Sequence, residues 1–144
     1  MKNKLIYLGG KMTGLSVKEY SEWREVMQNQ FQEINEHYKC FNPAKHFSFD
    51  DVENGIITDK QAMDIDLYKL RRSDLMVVDF RHGSNSLGTM AEIGIAYDRQ
   101  IPILGICEEV QNLHPWIVSM CNKFFENEYD LIYYAVEHFL NEDY

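Results

Sequence analysis

Glu92 is the only charged residue between Leu87 and Tyr97, a run that reads Leu-Gly-Thr-Met-Ala-Glu-Ile-Gly-Ile-Ala-Tyr. A helix this apolar is expected to be buried nearly all round. An unpaired carboxylate inside it is costly, or else its pKa rises. Glu92 therefore faces a partner, a cavity or both. Two readings stand: a structural glutamate, hydrogen-bonded or turned to the surface, and a catalytic carboxylate at the floor of a pocket. Asp66 is the second acid of interest. Its helical neighbours at i−4, i−3 and i+4 are Ala62, Met63 and Leu70, so it borders an apolar face. Asp64 neighbours Lys60 and Gln61 instead and reads as solvated. Asp66 is either a surface acid or the partner of Glu92. In the second case the two supply a nucleophile and an acid for glycosidic chemistry.

The same helix is preceded by Ser84, Asn85 and Ser86 and begins with Leu87, Gly88 and Thr89. Free backbone N–H groups, hydroxyls and the helix dipole suit an anion such as phosphate there. Simple N-capping by a serine accounts for the same residues. Gly9-Gly10-Lys11-Met12-Thr13-Gly14 invites a P-loop reading. Leu5, however, stands where the first glycine of that motif belongs, and Met12 stands where Ser or Thr must follow the lysine. The loop is either a plain turn on permissive glycines or a ligand-contacting one. His37, His46, His82, His114 and His138 are scattered, without HExxH or a Cys/His cluster, so neither metal nor cofactor is expected. His114 before Pro115 reads as part of a turn. There is no GxSxG elbow for a serine hydrolase.

These residues need elements to hold them. Leu5 to Leu8 read as a buried strand ending in a turn at Gly9-Gly10. Val17 to about His37 read as a helix capped by Ser16, with Tyr20, Trp23, Val26 or Met27, Phe31 and Ile34 on its apolar side. Tyr38 to Phe41 form a second strand. Residues 44–58 read as a loop, and Asp59 to Arg72 as a helix with Ala62, Met63, Leu67 and Leu70 on one side. Leu75 to Phe80 are the clearest buried strand, followed by a turn and the helix of Ser86 to Arg99. Ile101 to Ile106 are a strand, 107–120 a loop, Lys123 to Phe125 a short strand and Tyr129 to Leu140 a closing helix. Alternating strands and helices predict one α/β domain over residues 1–144, with a flavodoxin-like, doubly wound, mainly parallel five-stranded sheet covered by helices on both faces. Such folds bind ligands at the carboxyl ends of their strands.

Composition narrows the functions. With 144 residues and a formal net charge of −9, the chain is a poor candidate for binding long nucleic acids or anionic membranes. The charge is uneven. Residues 108–144 hold eight acids and one Lys, whereas residues 1–107 hold 15 acids and 13 bases. Lys11, Arg71, Arg72 and Arg81 lie in the nearly neutral portion, where they soften repulsion of a small anion. Three widely spaced cysteines, Cys40, Cys107 and Cys121, fit reduced thiols in a cytoplasmic protein. No stretch has the length of a signal-peptide core or a membrane span.

Ile6-Tyr7-Leu8-Gly9-Gly10, Asp66 eight residues before Asp74, and Ser86-Leu87-Gly88-Thr89-Met90-Ala91-Glu92-Ile93-Gly94 together resemble the nucleoside 2-deoxyribosyltransferase family, which includes the nucleoside 5′-monophosphate N-glycosidases. The resemblance implies that Glu92 attacks C1′ of a nucleoside, that Asp66 contacts the departing base and helps protonate it, and that Tyr7 orients Glu92. The sugar then passes to another base or to water. It also implies substrate contacts from Gly9, Lys11, Met12, Ser86, Gly88 and Met90. Ser86 stands six residues before Glu92, where transferases of free nucleosides carry a carboxylate. Ser-Leu-Gly-x-x-x-Glu resembles the monophosphate branch, in which this serine holds the 5′-phosphate. The family further implies a homodimer or larger homo-oligomer, with Ser119 and Met120 lent to a neighbouring subunit's site. Two other readings compete: a catalytically silent nucleotide-binding module and a flavin-binding protein of the same fold.

Overall fold

The structure is a computed structural model that describes residues 2–46, 49–83 and 86–141. Its elements run β1 (Lys4–Gly10), α1 (Val17–Ile34), β2 (Tyr38–Phe41), α2 (Pro43–His46), α3 (Phe49–Glu53), α4 (Asp59–Arg71) and β3 (Leu75–Asp79). They continue with α5 (Leu87–Asp98), β4 (Ile103–Ile106), a 3-10 turn (Val110–Asn112), α6 (Pro115–Met120), β5 (Lys123–Phe125), α7 (Glu128–Ala135) and a closing π-helical turn (Val136–Leu140). All five strands are parallel, in the order β2-β1-β3-β4-β5. This is the expected doubly wound α/β architecture.

Strand alternation divides the core into two layers. Ile6, Leu8, Leu75, Val77, Leu104 and Ile106 pack against Trp23, Met27 and Phe31 of α1 and Leu131, Ile132 and Ala135 of α7. Tyr7, Met76, Val78 and Ile103 face the other way, against Leu70 of α4, Ile93 and Ala96 of α5 and Ile117 of α6. β3 is buried along its whole length, as a central parallel strand covered on both faces must be.

Several local expectations are corrected. Gly9 and Gly10 continue β1, pairing with Val78 and Asp79 of β3, so the turn starts later. The polar stretch 44–58 contains α2 and α3. Polarity hid them, but the start of α2 is well specified: Asn42 Oδ1 accepts from Ala44 N at 3.0 Å, and Pro43 pre-sets the first helical φ. The stretch 107–120 contains α6, with Pro115 in its first turn and the His114 ring accepting from Trp116 N at 3.1 Å. His114 is thus a helix cap. α1 stops at Ile34, which is exposed, and Asn35 caps its end. Met63 is 50% exposed on α4 rather than packed beside Leu70. α5 is buried on one side only, since Leu87 is 88% exposed. All three cysteines are free. Burial pushes the Cys40 and Cys121 thiols up to about 12, which leaves them unreactive.

Gly10 combines a positive φ with a close approach to the neighbouring strand at the carboxyl edge of the sheet. Its φ is +144°, and a Cβ there would stand 3.3 Å from the Asp79 carbonyl oxygen and 3.4 Å from the Trp23 ring. Gly14 also has positive φ, but a Cβ there would meet nothing within 4 Å. Gly10→Ala is expected to cost about 1–3 kcal/mol, and clearly more than Gly14→Ala. Urea unfolding of both variants measures the difference; equal losses would show that the close approach to Asp79 contributes nothing.

Candidate functional site

β1 is the strand at which the winding reverses. α1 leads from it to β2 on one side, while the chain reaches β3 on the other side through α4. The crevice that this leaves at the carboxyl ends of β1 and β3 is where such folds take their ligands. A cavity of about 230 Å³ opens there. Gly10, Met12 and Thr13 line it from the end of β1, and Pro43 and Val52 from the segment after β2. α4 contributes Asp59, Ala62 and Asp66, and α5 contributes Ser86 at its cap with Gly88, Thr89 and Glu92. Helical spacing explains both groups. Asp59, Ala62 and Asp66 fall at i, i+3 and i+7, and Gly88 and Glu92 at i and i+4, so each set shares a face.

Both helices begin at this edge. Thr58 caps α4 and Ser86 caps α5, the latter accepting from Thr89 N at 3.3 Å. The cleft therefore receives the positive ends of two helix dipoles. Ser84 and Asn85, expected beside Ser86, lie outside the described residues.

At the floor, the Tyr7 hydroxyl donates to Glu92 Oε2. Tyr7 is fully buried, and its ring stacks on Phe41 at 5.5 Å, which fixes the hydroxyl's direction. Burial pushes the Glu92 carboxyl up to about 7; the Tyr7 bond and the Arg24 charge act against that rise, and Asp66 adds to it. Burial pushes Asp66 up to about 6, opposed by Arg24. One Asp66 oxygen, Oδ1, is buried with no hydrogen-bond partner. Tyr7 itself is driven far above its ordinary value, first by burial and then by the two nearby carboxylates, so it stays a hydrogen-bond donor. The site thus couples two carboxyl groups that titrate near neutrality, one oriented by a phenol and the other with an unsatisfied oxygen.

Of the sequence candidates, Glu92, Asp66 and Tyr7 come together here, with Met12, Ser86 and Gly88 on the walls. Lys11 is partly buried between the lining residues Gly10 and Met12 but is not itself among those lining the cavity. Gly9 is inside β1, paired with Val78, and Met90 packs against the core beneath α5. Ser119 and Met120 lie elsewhere. They line a cavity of about 620 Å³ with Tyr97, Gln100 and Pro102, at the amino ends of β4 and β5. Within one chain they stand apart from Glu92. Arg81 is held by Asp79 at 2.9 Å and by Glu128, which neutralises the charge the sequence offered to an anionic substrate.

Arg24 is the residue that sequence reasoning missed. It is 1% exposed and donates to the carbonyls of Leu8, Gly10 and Tyr20. A signal existed: Tyr20, Arg24, Met27 and Phe31 follow helical spacing, so a cation occupies a position on the apolar stripe. Thr13, Asp59, Pro43 and Val52 were also not singled out. Thr13 lies in the glycine-rich loop already considered, whereas Asp59, Pro43 and Val52 reach the cleft through tertiary packing and no motif marks them. Among the described residues, no group of three or more His, Cys, Asp or Glu side chains could hold a metal ion, and no helix is long and apolar enough to cross a membrane.

The fold has counterparts among known proteins. A conserved protein from Enterococcus faecalis V583 is similar with a TM-score of 0.73 at 15% identity, covering 91% of this chain and 96% of that one. A 2-deoxyribosyltransferase from Bacillus psychrosaccharolyticus is similar with a TM-score of 0.65 at 17% identity, covering 89% and 90%. The CMP N-glycosidase of Clostridium botulinum is similar with a TM-score of 0.59 at 18% identity, covering 94% and 99%. No curated protein sequence matches the chain. The sequence profile of the nucleoside 2-deoxyribosyltransferase family matches residues 6–139, a span that contains Tyr7, Asp66 and Glu92. The chain belongs to the nucleoside 2-deoxyribosyltransferase family.

Proposed function

We propose that the protein cleaves the N-glycosidic bond of a nucleoside or nucleoside 5′-monophosphate through a covalent sugar ester on Glu92. The observation that carries this reading is the meeting of Glu92 and Asp66, both with raised pKa, in one cleft with Tyr7 bonded to Glu92. Tyr7 occupies Oε2, which leaves Oε1 to attack C1′. The bond from C1′ to the base nitrogen breaks as the ester forms, its electrons go to the base, and protonated Asp66 supplies the proton. Water or an acceptor base then attacks C1′, gives its proton to Asp66 and releases Glu92 as a carboxylate. Two structural neighbours, named a 2-deoxyribosyltransferase and a CMP N-glycosidase, support a reading that allows both transfer and hydrolysis.

A 5′-phosphate fits the start of α5. Ser86 Oγ accepts from Thr89 N but keeps its own hydroxyl proton to donate, and Gly88 brings backbone to the cleft wall without a side chain. Lys11 supplies positive charge from the adjoining loop. The reading includes a homodimer or larger homo-oligomer, in which Ser119 and Met120 of one copy reach the cleft of another. The exposed apolar residues Leu87, Trp116 and Val118 on the adjacent helices α5 and α6 support such an interface.

Three outcomes are expected. Glu92→Gln should lower base release from a panel of nucleosides and monophosphates by about a thousandfold or more, and mass spectrometry should find a sugar adduct on the wild-type protein that the variant lacks. Undiminished turnover in the variant excludes the ester. Ser86→Ala should raise KM for a 5′-monophosphate about tenfold or more while leaving the free nucleoside nearly unaffected; equal effects on both remove the phosphate from the reading.

The pH profile is the third. Glu92 must be ionised to attack and Asp66 protonated to donate. The pair exchanges its protons at about 6 and 7, and as a coupled pair it owns both values jointly. The singly protonated state is most populated between them, so kcat/KM should be bell-shaped with its maximum in that window. Tyr7→Phe removes the bond that favours ionised Glu92 and should lower kcat/KM most at pH below both values, where the rate follows the ionised fraction of Glu92. A flat profile in both proteins would contradict the assignment.

A further inference from the structure

Arg24 belongs to α1, in the helix layer opposite the one that carries Glu92. Yet its guanidinium reaches the carboxyl edge of the sheet. Nε donates to the Leu8 carbonyl at 3.2 Å and Nη2 to the Gly10 carbonyl at 3.2 Å, while Nη1 turns back to the Tyr20 carbonyl of its own helix. The side chain also lies against the Trp23 ring, 4.7 Å from its centre. Leu8 directly follows Tyr7, and Gly10 ends the strand. The fork therefore grips the last stretch of β1, the part that aims Tyr7 at Glu92.

The charge on this fork has no carboxylate at ion-pair distance among the described residues. Its hydrogen-bonding partners are neutral carbonyls. Burying a guanidinium this way is costly unless anions close by compensate it. The groups that feel its charge are Glu92 from α5, Tyr7 from β1, Asp79 from β3 and Asp66 from α4. Asp79 is already paired with Arg81. Burial lowers Arg24 to about 10, so it stays charged at neutral pH. Ionisation of either Glu92 or Asp66 balances that charge; Arg24 favours it at both, and the Tyr7 hydroxyl bonds Glu92.

We propose that Arg24 is a positioning residue of the site: it holds the end of β1 through the Leu8 and Gly10 carbonyls and supplies the buried positive charge that favours the ionised form of Glu92. This rests on the reading of Glu92 as nucleophile, but its charge effect can be measured without turnover. The consequence is that a residue touching no substrate sets the pH range in which the nucleophile is ready.

The test uses the full chain labelled with ¹³C at glutamate carboxyls only, so that Asp66 does not interfere, with the Glu92 signal identified by its loss in Glu92→Gln. Arg24→Gln keeps an amide donor for the carbonyls and removes the charge. Its Glu92 titration midpoint should rise by about one pH unit, and kcat/KM at a pH below both limbs should fall about tenfold with it, beyond any loss shared by the whole profile. Arg24→Lys keeps a charge in a displaced position and should raise the midpoint by less. If Arg24→Gln does not fold, Arg24→Met, which removes the charge and keeps an apolar stem, takes its place. An unmoved Glu92 midpoint in a folded variant that lacks the charge overturns the proposal and leaves Arg24 a structural fork. Absence of base release by the wild-type protein would instead remove the proposed reaction, with the comparison of midpoints still readable.

Discussion

Removing a carboxylate from water is costly, and the carboxyl edge of this sheet is organised around that cost at Glu92. The compensations come from three directions. Tyr7 on β1 donates to the carboxylate, Arg24 on α1 contributes charge from behind the strand, and the open side faces a cleft into which α4 and α5 direct their amino ends. None of these groups is adjacent to Glu92 in the chain. Each depends on the β1–β3 pairing, which sets Tyr7 beside Met76 and Gly10 beside Asp79. The fold is therefore a means of bringing dispersed groups to one poorly solvated acid.

The same arrangement separates the roles of two similar acids. Glu92 is bonded and Asp66 leaves an oxygen unsatisfied, although both sit in one cavity and burial raises both. An acid with an unfilled hydrogen-bonding position can bond to a ligand, whereas one already bonded is fixed in orientation. Environment rather than residue type makes that division.

Much of this was legible in the sequence, for physical reasons. Buried strands are dense in apolar residues, so β1 and β3 stood out, and a lone acid in an apolar helix signalled Glu92. Capping chemistry marked the starts of α1 and α5 at Ser16 and Ser86. The short helices α2, α3 and α6 were obscured because they carry too few turns for periodicity to register. α5 misled in the other direction. Its composition is apolar all round, but one chain covers only part of it, and Leu87 remains in solvent. Arg24 escaped because a cation on an apolar stripe looks like a helix-surface residue until the strand end it binds is known.

The bond between Tyr7 and Glu92 joins positions 85 residues apart. The sheet that supports it is equally non-local, since β1 pairs with β3 across roughly seventy residues of intervening chain. Contacts of such long sequence separation form late and slow folding, because the loop must close before the contact rewards it. No contiguous stretch shorter than that separation contains both halves of the site. A chain emerging during synthesis therefore has no reactive carboxylate assembly until α5 has been made and docked. Assembly of the pair therefore waits on the pairing of β1 with β3 and on the docking of α5.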